Sequence, residues 1–561
     1  MSRGRDPDQR SAAMTVVMTR LGQAPRQRRD VLVAPVNLTP NGRAHLGHVA
    51  GPFLRMDILA RALARDGDRV AAVLTTDGFE NHVLLKAWQE GRDPDELAHA
   101  NAMRIRDDLA AIGIDYTLFD DPGHAENRAL FDAVFADLVR RLEEGGEVAY
   151  RSVRLPVDRR DADPTNPEDR FCIGGWFVAR CPNCEAPGGA FVCEECGRFY
   201  EPTEGLEPRS QRGDIVGWEE DTAPFVVLRD PDRLRDLWTR MGLEAPYREI
   251  GERQLAQVGP AIRLTVPGRR GLDWAPGPLT GRQVGFSYSS IMYAHKLYCG
   301  ERLAGLTGRG NPFTAGSETV LVSATGIDNT IPMLIGVGAC SLAQSAYRPF
   351  DRMYFNRFVS MERSKFSTSR GHVIWVGDIA AAPGLNTDCL RLYLAEICPE
   401  EAETDLAIDE LIARHNAILA ALRHLVPSAW AGLGSGASVV DDGLARRLEA
   451  ALAGQASALD PERLRVSRGA AVVADWIFDP GPLDTPGRAR GWLVGLALLA
   501  APWMPELAGA IWRGLGHPGV PRTEAFAAGA AVAASPEPPA VPGLPLTRRD
   551  LVTCGALKEP A

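Results

Sequence analysis

Val31-Leu32-Val33-Ala34-Pro35, followed by Asn41-Gly42-Arg43-Ala44-His45-Leu46-Gly47-His48-Val49-Ala50-Gly51, is the stretch whose reading decides the fold. A short apolar run ends in a small-residue loop and passes into a long apolar-periodic segment, which predicts a strand, a loop and the start of a helix. A helix N-terminus offers unpaired backbone N–H groups and the positive end of the helix dipole to an anion. His45 and His48 fall on one face of that first turn and can both reach a phosphate held there. Gly47 between them leaves room for a flat ring against the backbone. Two histidines around a small residue also occur at ordinary helix starts. The position behind a strand makes this turn the leading site.

Outward from the turn the chain keeps alternating. Val31–Ala34 and Val70–Leu74 read as strands, and Val49–Arg65, His82–Gln89 and Leu97–Ile112 as helices. That punctuation predicts a parallel sheet with crossover helices. A helix over Ala129–Leu142 leads into a cysteine-bearing segment, and residues 200–280 are mixed and loop-rich. Strand punctuation resumes at Thr319–Ser323, Met353–Phe358 and Val373–Val376. Beyond about 400, Asp409–Leu425, Gly443–Ala453 and Gly491–Ala501 repeat apolar residues at helical spacing, which predicts an all-α bundle.

The expected architecture is therefore an α/β protein with a Rossmann-like parallel sheet, split by a zinc-knuckle insertion and followed by a helical bundle. Its parts are a flexible leader at 1–28, the first half-sheet at 29–115, a connective insertion at 116–260 with the knuckle at 181–196, the second half-sheet at 261–400, the bundle at 401–517 and a poorly ordered Ala/Pro-rich tail at 518–561.

Bulk properties narrow the class. The 561 residues are 45% hydrophobic and 24% charged, with no apolar run near the ~20 residues a membrane span needs. The Arg-rich start lacks the apolar core of a secretory signal, so a cytoplasmic location without membrane contact is expected. The net charge of −10 rules out a global field drawing the chain to nucleic acid, so such a partner needs local basic patches.

Four of the ten cysteines are grouped as Cys181-Pro-Asn-Cys184 and Cys193-Glu-Glu-Cys196. Two C-x-x-C pairs joined by a short Gly-containing hairpin can place four thiolates around one tetrahedral zinc. The competing reading is a redox couple or chance steps. No His or carboxylate nearby demands an open coordination position, so the metal is expected to be structural. A second segment, Lys365-Phe-Ser-Thr368-Ser369-Arg370-Gly371, places a Lys and an Arg around three hydroxyls in a Gly-ended loop. Alone it reads equally well as a solvated loop. Set against the histidine turn across the switch point of a parallel sheet, it can hold a nucleoside triphosphate by charge and hydrogen bonds.

Taken together these residues resemble the methionyl branch of the class I aminoacyl-tRNA synthetases over roughly 30–515. Asn41 through Gly51 is similar to that family's first signature and the Lys365 loop to its second. Arg198-Phe-Tyr-Glu-Pro-Thr-Glu-Gly-Leu-Glu-Pro-Arg-Ser210 follows the knuckle as in the family's zinc insertion, and Asp388 through Glu396 resembles the helix that joins the catalytic and anticodon-binding domains. The resemblance implies a ligase that attacks the α-phosphate of ATP with an amino-acid carboxylate, releases pyrophosphate and transfers the aminoacyl group to tRNA. It implies catalytic roles for His45, His48 and Lys365, with Mg²⁺ accompanying ATP. Gly47, Gly326, Asp328, Thr368, Ser369 and Arg370 would contact ATP, Gly326 and Asp328 at the ribose. Asp77 would pair with the substrate's α-ammonium group, though as a bare residue it reads equally as a helix cap. Thr39, Tyr288 and Met333 would line the amino-acid pocket, and a monomer is expected.

The departures bear on substrate. Thr39 replaces a family tyrosine, Met333 a pocket histidine and Thr368 the second lysine of the phosphate loop. Gly285-Phe-Ser-Tyr-Ser-Ser-Ile-Met-Tyr293 stands where the family carries an aromatic wall for methionine. The anticodon-reading motif falls on His424-Leu-Val-Pro-Ser428, and its Pro-Trp partner is missing from Asp479-Pro-Gly-Pro-Leu483. Two further readings therefore stand beside a synthetase acting on methionine or an analogue. One is a paralogue activating a different amino acid for a non-tRNA acceptor such as an amine. The other is an inactive binding protein.

Overall fold

The computed structural model describes residues 28–159, 170–189, 191–193, 195–275, 277–367, 371–433, 440–523 and 534–558. The expected leader, apart from Arg28, lies outside them. Five strands, β1 (Asp30–Val33), β2 (Arg69–Thr75), β3 (Leu118–Asp120), β4 (Val320–Gly326) and β5 (Arg352–Asn356), form a sheet in the order β5-β4-β1-β2-β3. All four pairings are parallel, with Val31 opposite Val320 on one side and Val70 on the other. Order reverses at β1, where the connection to β2 runs one way and the sheet continues into β4 on the other. A crevice at the C-terminal ends of such strands is where doubly wound sheets take ligands.

The helices that cover the sheet are α1 (Leu46–His48), α2 (Leu54–Arg65), α3 (Asn81–Glu90), α4 (Pro94–Ala110), α5 (Ala125–Glu144) and α6 (Tyr288–Thr307). The single helix expected over Val49–Arg65 is interrupted. A π-helical turn spans Val49–Phe53, and Gly51 departs from helical geometry at φ −86°, ψ −121°. Pro52 has no N–H to continue the ladder. A β-carbon at Gly51 would stand 3.0 Å from the Asn356 amide nitrogen of β5, so the bend also brings the turn close to the sheet edge.

The segment between α5 and α6 is an insertion built on antiparallel strands Val148–Val157 and Gly217–Val227, paired from Val148–Val226 to Val157–Gly217, with Ala261–Arg263 alongside. The stretch read as loop-rich thus contains an 11-residue strand. No strand forms at Val373–Val376. Trp375 makes one bridge to His45 and Val376 begins the short helix Val376–Ala380, because the segment's hydrogen bonds go to the histidine turn instead of the sheet.

The C-terminal part consists of α7 (Thr387–Glu396), α8 (Ile408–Ala431), α9 (Asp442–Ala458), α10 (Val466–Phe478), α11 (Pro486–Ala500) and α12 (Pro505–Gly514). Two buried arginines tie it to the sheet. Arg391 donates to the Trp503 and Pro502 carbonyls and meets Asp57 of α2 at 2.5 Å. Arg55 donates to the Phe355 and Leu464 carbonyls and lies 3.2 Å from Glu400. Such pairs, fully desolvated, fix orientation more than they add net stability. Part of the expected tail is folded, while 524–533 and 559–561 lie outside the described residues. Residues 534–558 run back over α8 and end in α13 (Arg548–Thr553), with Leu546, Leu551 and Ala556 buried. Asn416 both donates to and accepts from the Leu546 backbone, so a Pro-rich stretch with few bonds of its own is tied down by side chains. Among the described residues no helix is long and apolar enough to cross a membrane.

Candidate active site

The loop after β1 reaches the histidine turn under several restraints. Asp77 N–H donates to the Leu38 carbonyl at 2.8 Å, and the Asn101 amide donates to the Pro40 carbonyl at 3.0 Å. Lys296 of α6, fully buried, donates its ammonium to the Pro35 carbonyl and Asn37 Oδ1. Burial draws this lysine down to about 8. Arg43 is forked between Asp108 (2.9 Å) and Asp378 (2.6 Å).

His45 is the N-cap of α1. Its Nδ1 accepts from the His48 N–H, and His48 Nδ1 accepts from the His45 N–H, a reciprocal cap made by two imidazoles. The rings stack at 3.6 Å and 19°. Phe366 stacks on the outer face of His45 at 5.0 Å and 5°, and Trp375 tilts against it at 6.3 Å. Desolvation holds His45 well below its ordinary range, with the neighbouring His48 adding to the effect, and pushes His48 down to about 4. Both rings are thus neutral at pH 7. With each Nδ1 accepting, each proton resides on Nε2, and the turn offers two N–H donors rather than two cations. Gly47 is required by this packing, since a β-carbon there would stand 3.0 Å from the Phe366 ring and 3.1 Å from His45.

A cleft enclosing about 1070 Å³, part of it continuous with bulk solvent, opens at the C-terminal ends of the strands. Thr39 and Asn41 face it from the loop after β1, Asp77, Phe79 and Glu80 from the loop after β2, Asn81 and His82 from the start of α3, and Asp328 and Asn329 from beyond β4. The insertion closes it with Gly174, Phe191, Val192 and Phe199, and Phe286, Ser287 and Ile291 supply a further wall. Asp77 is not the cap of α3, a position taken by Glu80. It accepts from the Phe79 N–H at 3.2 Å, and burial together with Asp77 raises Glu80 above the usual carboxylate range. A β-carbon on Gly326 would stand 2.3 Å from Asp328 Oδ1, so a glycine is needed for that carboxylate to fold back on the strand end.

Thr39, Asp77 and Asp328 therefore meet in one cleft. Met333, expected in the pocket, lies fully buried in the π-helical turn Pro332–Val337 and is not on the cleft surface, because the turn packs its side chains into the core. Tyr288 begins α6, and its side chain falls outside the described set, as do Thr368, Ser369 and Arg370. Lys365 pairs with the knuckle. Its ammonium is 3.5 Å from Glu195 at the tip of the knuckle and lies over the Phe358 ring. Sequence reasoning missed Glu80, Asn81, His295, Lys296 and Trp375, whose roles depend on contacts between distant segments. The pair His295-Lys296, set between the apolar runs Ile291–Ala294 and Leu297–Cys299, was an available signal.

In the knuckle, Cys181, Cys184, Cys193 and Cys196 place their sulfurs within 4.8 Å of one another, with Cys181–Cys196 at 3.8 Å and Cys184–Cys193 at 3.6 Å. A tetrahedral metal with bonds of about 2.3 Å has sulfur–sulfur edges of about 3.8 Å, so the donor set fits. Donation from Cys193 draws the Cys196 thiol down to about 4, while Cys193 is pushed up. Four sulfurs this close cannot all ionise without a cation among them. The knuckle also touches the site directly. A β-carbon on Gly197 would stand 3.1 Å from the Ile327 carbonyl, next to Asp328.

Fold and site define a doubly wound α/β protein whose cleft, at the switch point, is roofed by an insertion with a four-cysteine metal-binding cluster. The chain belongs to the class I tRNA synthetases: the family model for tRNA synthetases class I (M) matches residues 32–240 and 316–425, together more than half of its length. Among curated relatives, a methionine–tRNA ligase of Bacteroides fragilis is 24% identical over 392 residues, covering 68% of this chain and 55% of the relative. One of Corynebacterium jeikeium is 28% identical over 415 residues, covering 68% and 64%. This chain thus spans little more than half the length of the Bacteroides relative. The fold is shared with Mycobacterium tuberculosis methionyl-tRNA synthetase in complex with methionyl-adenylate, at a TM-score of 0.66 and 17% identity over 91% of this chain and 99% of that one.

Proposed function

We propose that this protein activates an amino acid with ATP, forming an aminoacyl-adenylate and pyrophosphate, and transfers the aminoacyl group to tRNA in the manner of a methionyl-tRNA synthetase. One observation carries the reading. Thr39, Asp77 and Asp328, from three different strand ends, converge on the same cleft, which Asn41, four residues before the turn with the two imidazole N–H donors, also lines.

In this reading Asp77 takes the α-ammonium group and Asp328, with Gly326, the ribose. The amino-acid carboxylate attacks the α-phosphorus in line and the bond to the pyrophosphate oxygen breaks. Such a reaction needs positioning and charge stabilisation more than covalent help. His45 and His48 donate Nε2–H to the phosphoryl oxygens as charge builds. Their neutrality keeps them donors of fixed geometry that need no proton from solvent. Lys365 leaves Glu195 to meet the departing pyrophosphate, with Thr368, Ser369 and Arg370 completing the loop. Mg²⁺ supplies further neutralisation when bound with ATP. Zinc held by the four cysteines would be structural, fixing the hairpin that carries Phe191, Val192 and Phe199 to the cleft.

The amino acid is methionine or a related compound. The cleft walls combine aromatic rings with Glu80, Asn81, Ser287 and Asn329, a more polar surface than a thioether requires. Amino-acid-dependent ATP–pyrophosphate exchange over the twenty amino acids, followed by charging of tRNA, tests the reading. Exchange with one amino acid and stable acylation of tRNA is the expected result. Exchange without charging would assign another acceptor, and the absence of exchange with every amino acid overturns adenylation.

A further inference from the structure

His295 is a fully enclosed polar group next to the cleft. It sits within α6, fully buried, with its ring against Phe131 at 4.9 Å and Phe79 at 6.1 Å. Two polar contacts interrupt that apolar surrounding. Nδ1 lies 3.1 Å from Thr75 Oγ1 at the end of β2, and Nε2 lies 3.6 Å from Asp77 Oδ1. Nε2 makes no hydrogen bond and is sealed from solvent. Burying an imidazole nitrogen without a partner is costly, so its aim at a carboxylate on the cleft floor calls for an account.

We propose that His295 is the positioning residue for Asp77, fixing the carboxylate that receives the substrate's ammonium group. This rests on the role given to Asp77 above. The carboxylate selects the ring form with a proton on Nε2, because a lone pair there would face the oxygen's own lone pairs. Nδ1 is then an acceptor and the Thr75 hydroxyl its donor. Asp77 Oδ1 accepts from the Phe79 N–H and has His295 Nε2 behind it, and Asp77 lines the cleft. The 3.6 Å separation closes when an ammonium draws the carboxylate into register, as site hydrogen bonds lengthened in the free protein commonly do on binding. The residue touches no reacting atom; it acts through Asp77 alone.

Two polar substitutions separate this role from mere packing. His295→Gln places an amide N–H near the Nε2 position, facing Asp77, whereas His295→Asn places it near Nδ1, facing Thr75. With the amino acid that gives the fastest exchange, H295N is expected to raise its KM ~10- to 100-fold, the range of a hydrogen bond to a charged group. The KM for ATP and kcat should stay within about three-fold, and H295Q should retain most of the affinity. The sharper readout is the same acid without its amino group. Its KM should not change in H295N, so preference for the amino acid over its deamino analogue collapses. Thr75→Val, which keeps shape and releases Nδ1, should give a smaller loss in the same direction.

Equal impairment of H295N and H295Q, a parallel loss for the deamino analogue, or an unchanged amino-acid KM in H295N each overturns the assignment. If the unsubstituted protein supports exchange with no amino acid, the adenylation reading falls, and this inference with it. If exchange is robust and the variants behave alike, only the inference falls.

Discussion

The loop that carries the histidine turn and the loop that carries Lys365 are built on different principles. The loop after β1 is restrained from every side: backbone bonds from Asp77 and to Ile374, side-chain donors from Asn101 and Lys296, and a reciprocal cap closing the histidine turn. The Lys365 loop is held by Phe366 stacked on His45, the Ser367–His372 backbone pair and an exposed ion pair with Glu195. The contrast teaches a division of labour. In the proposed reaction the histidine donors are already in place when charge develops, whereas Lys365, paired with Glu195 on the surface, has to move to follow the leaving group.

The largest test of that contrast is His48→Ala, which removes a fixed donor. Exchange is expected to fall ~100-fold or more, the usual cost of losing one preorganised donor, with little change in the KM for ATP. His48→Gln, which keeps an N–H, should recover part of it. The same locking predicts a pH signature. Folded His48 resists protonation down to about 4, while the unfolded chain takes up that proton below about 6.5. The residue's contribution to stability is therefore complete above pH 6.5 and is lost as pH falls towards 4. Thermal melts should show the difference between wild type and H48Q shrinking from pH 7 to pH 4.5. A constant difference would mean that His48 titrates normally.

Next in size is Cys193→Ser, which should lower bound zinc from one equivalent towards none, read by metal analysis, and loosen the hairpin that carries Phe191, Phe199 and Glu195. Because the hairpin touches Ile327 and Lys365, the affinity for ATP should suffer more than the rate of the bound complex. Lys365→Ala follows, with exchange reduced ~10-fold, in keeping with loss of one charge-assisted contact from a solvated loop. A larger loss than in H48A would reverse the division of labour drawn here.

What was legible in advance follows the same line. The parallel sheet, the histidine turn and the four cysteines announce themselves through short-range patterns: apolar runs, a helix start and paired C-x-x-C spacing. The bend at Gly51 was hidden because apolar periodicity continues through Pro52, and the pattern records which residues are buried without recording the path of the backbone. His295 and Lys296 were hidden because their partners, Asp77, Thr75, Pro35 and Asn37, are about 220 residues or more away. The ordered tail was masked by composition. Ala and Pro suggested disorder, but a few apolar anchors and two asparagines suffice once α8 offers a surface. Met333 shows the converse failure: aligned position placed it in the pocket, and the π-helical turn rotates it into the core.

The smallest predicted effect separates the two loops most finely. Lys365 and Glu195 are both about half exposed and 3.5 Å apart, so their attraction is worth at most ~1 kcal/mol and is screened by salt. Glu195 cannot ride with the loop, since it lies between two cysteines of the knuckle. In the proposed reaction Lys365 moves to a phosphate, which requires this pair to break. Glu195→Gln should therefore lower the KM for ATP by about two- to five-fold at low ionic strength and have no effect at high salt, while leaving kcat unchanged. A rise in KM would show instead that Glu195 orients Lys365 for the nucleotide, making the second loop as preorganised as the first. The sign of a small, salt-dependent change thus decides whether one of the two loops is preorganised or both.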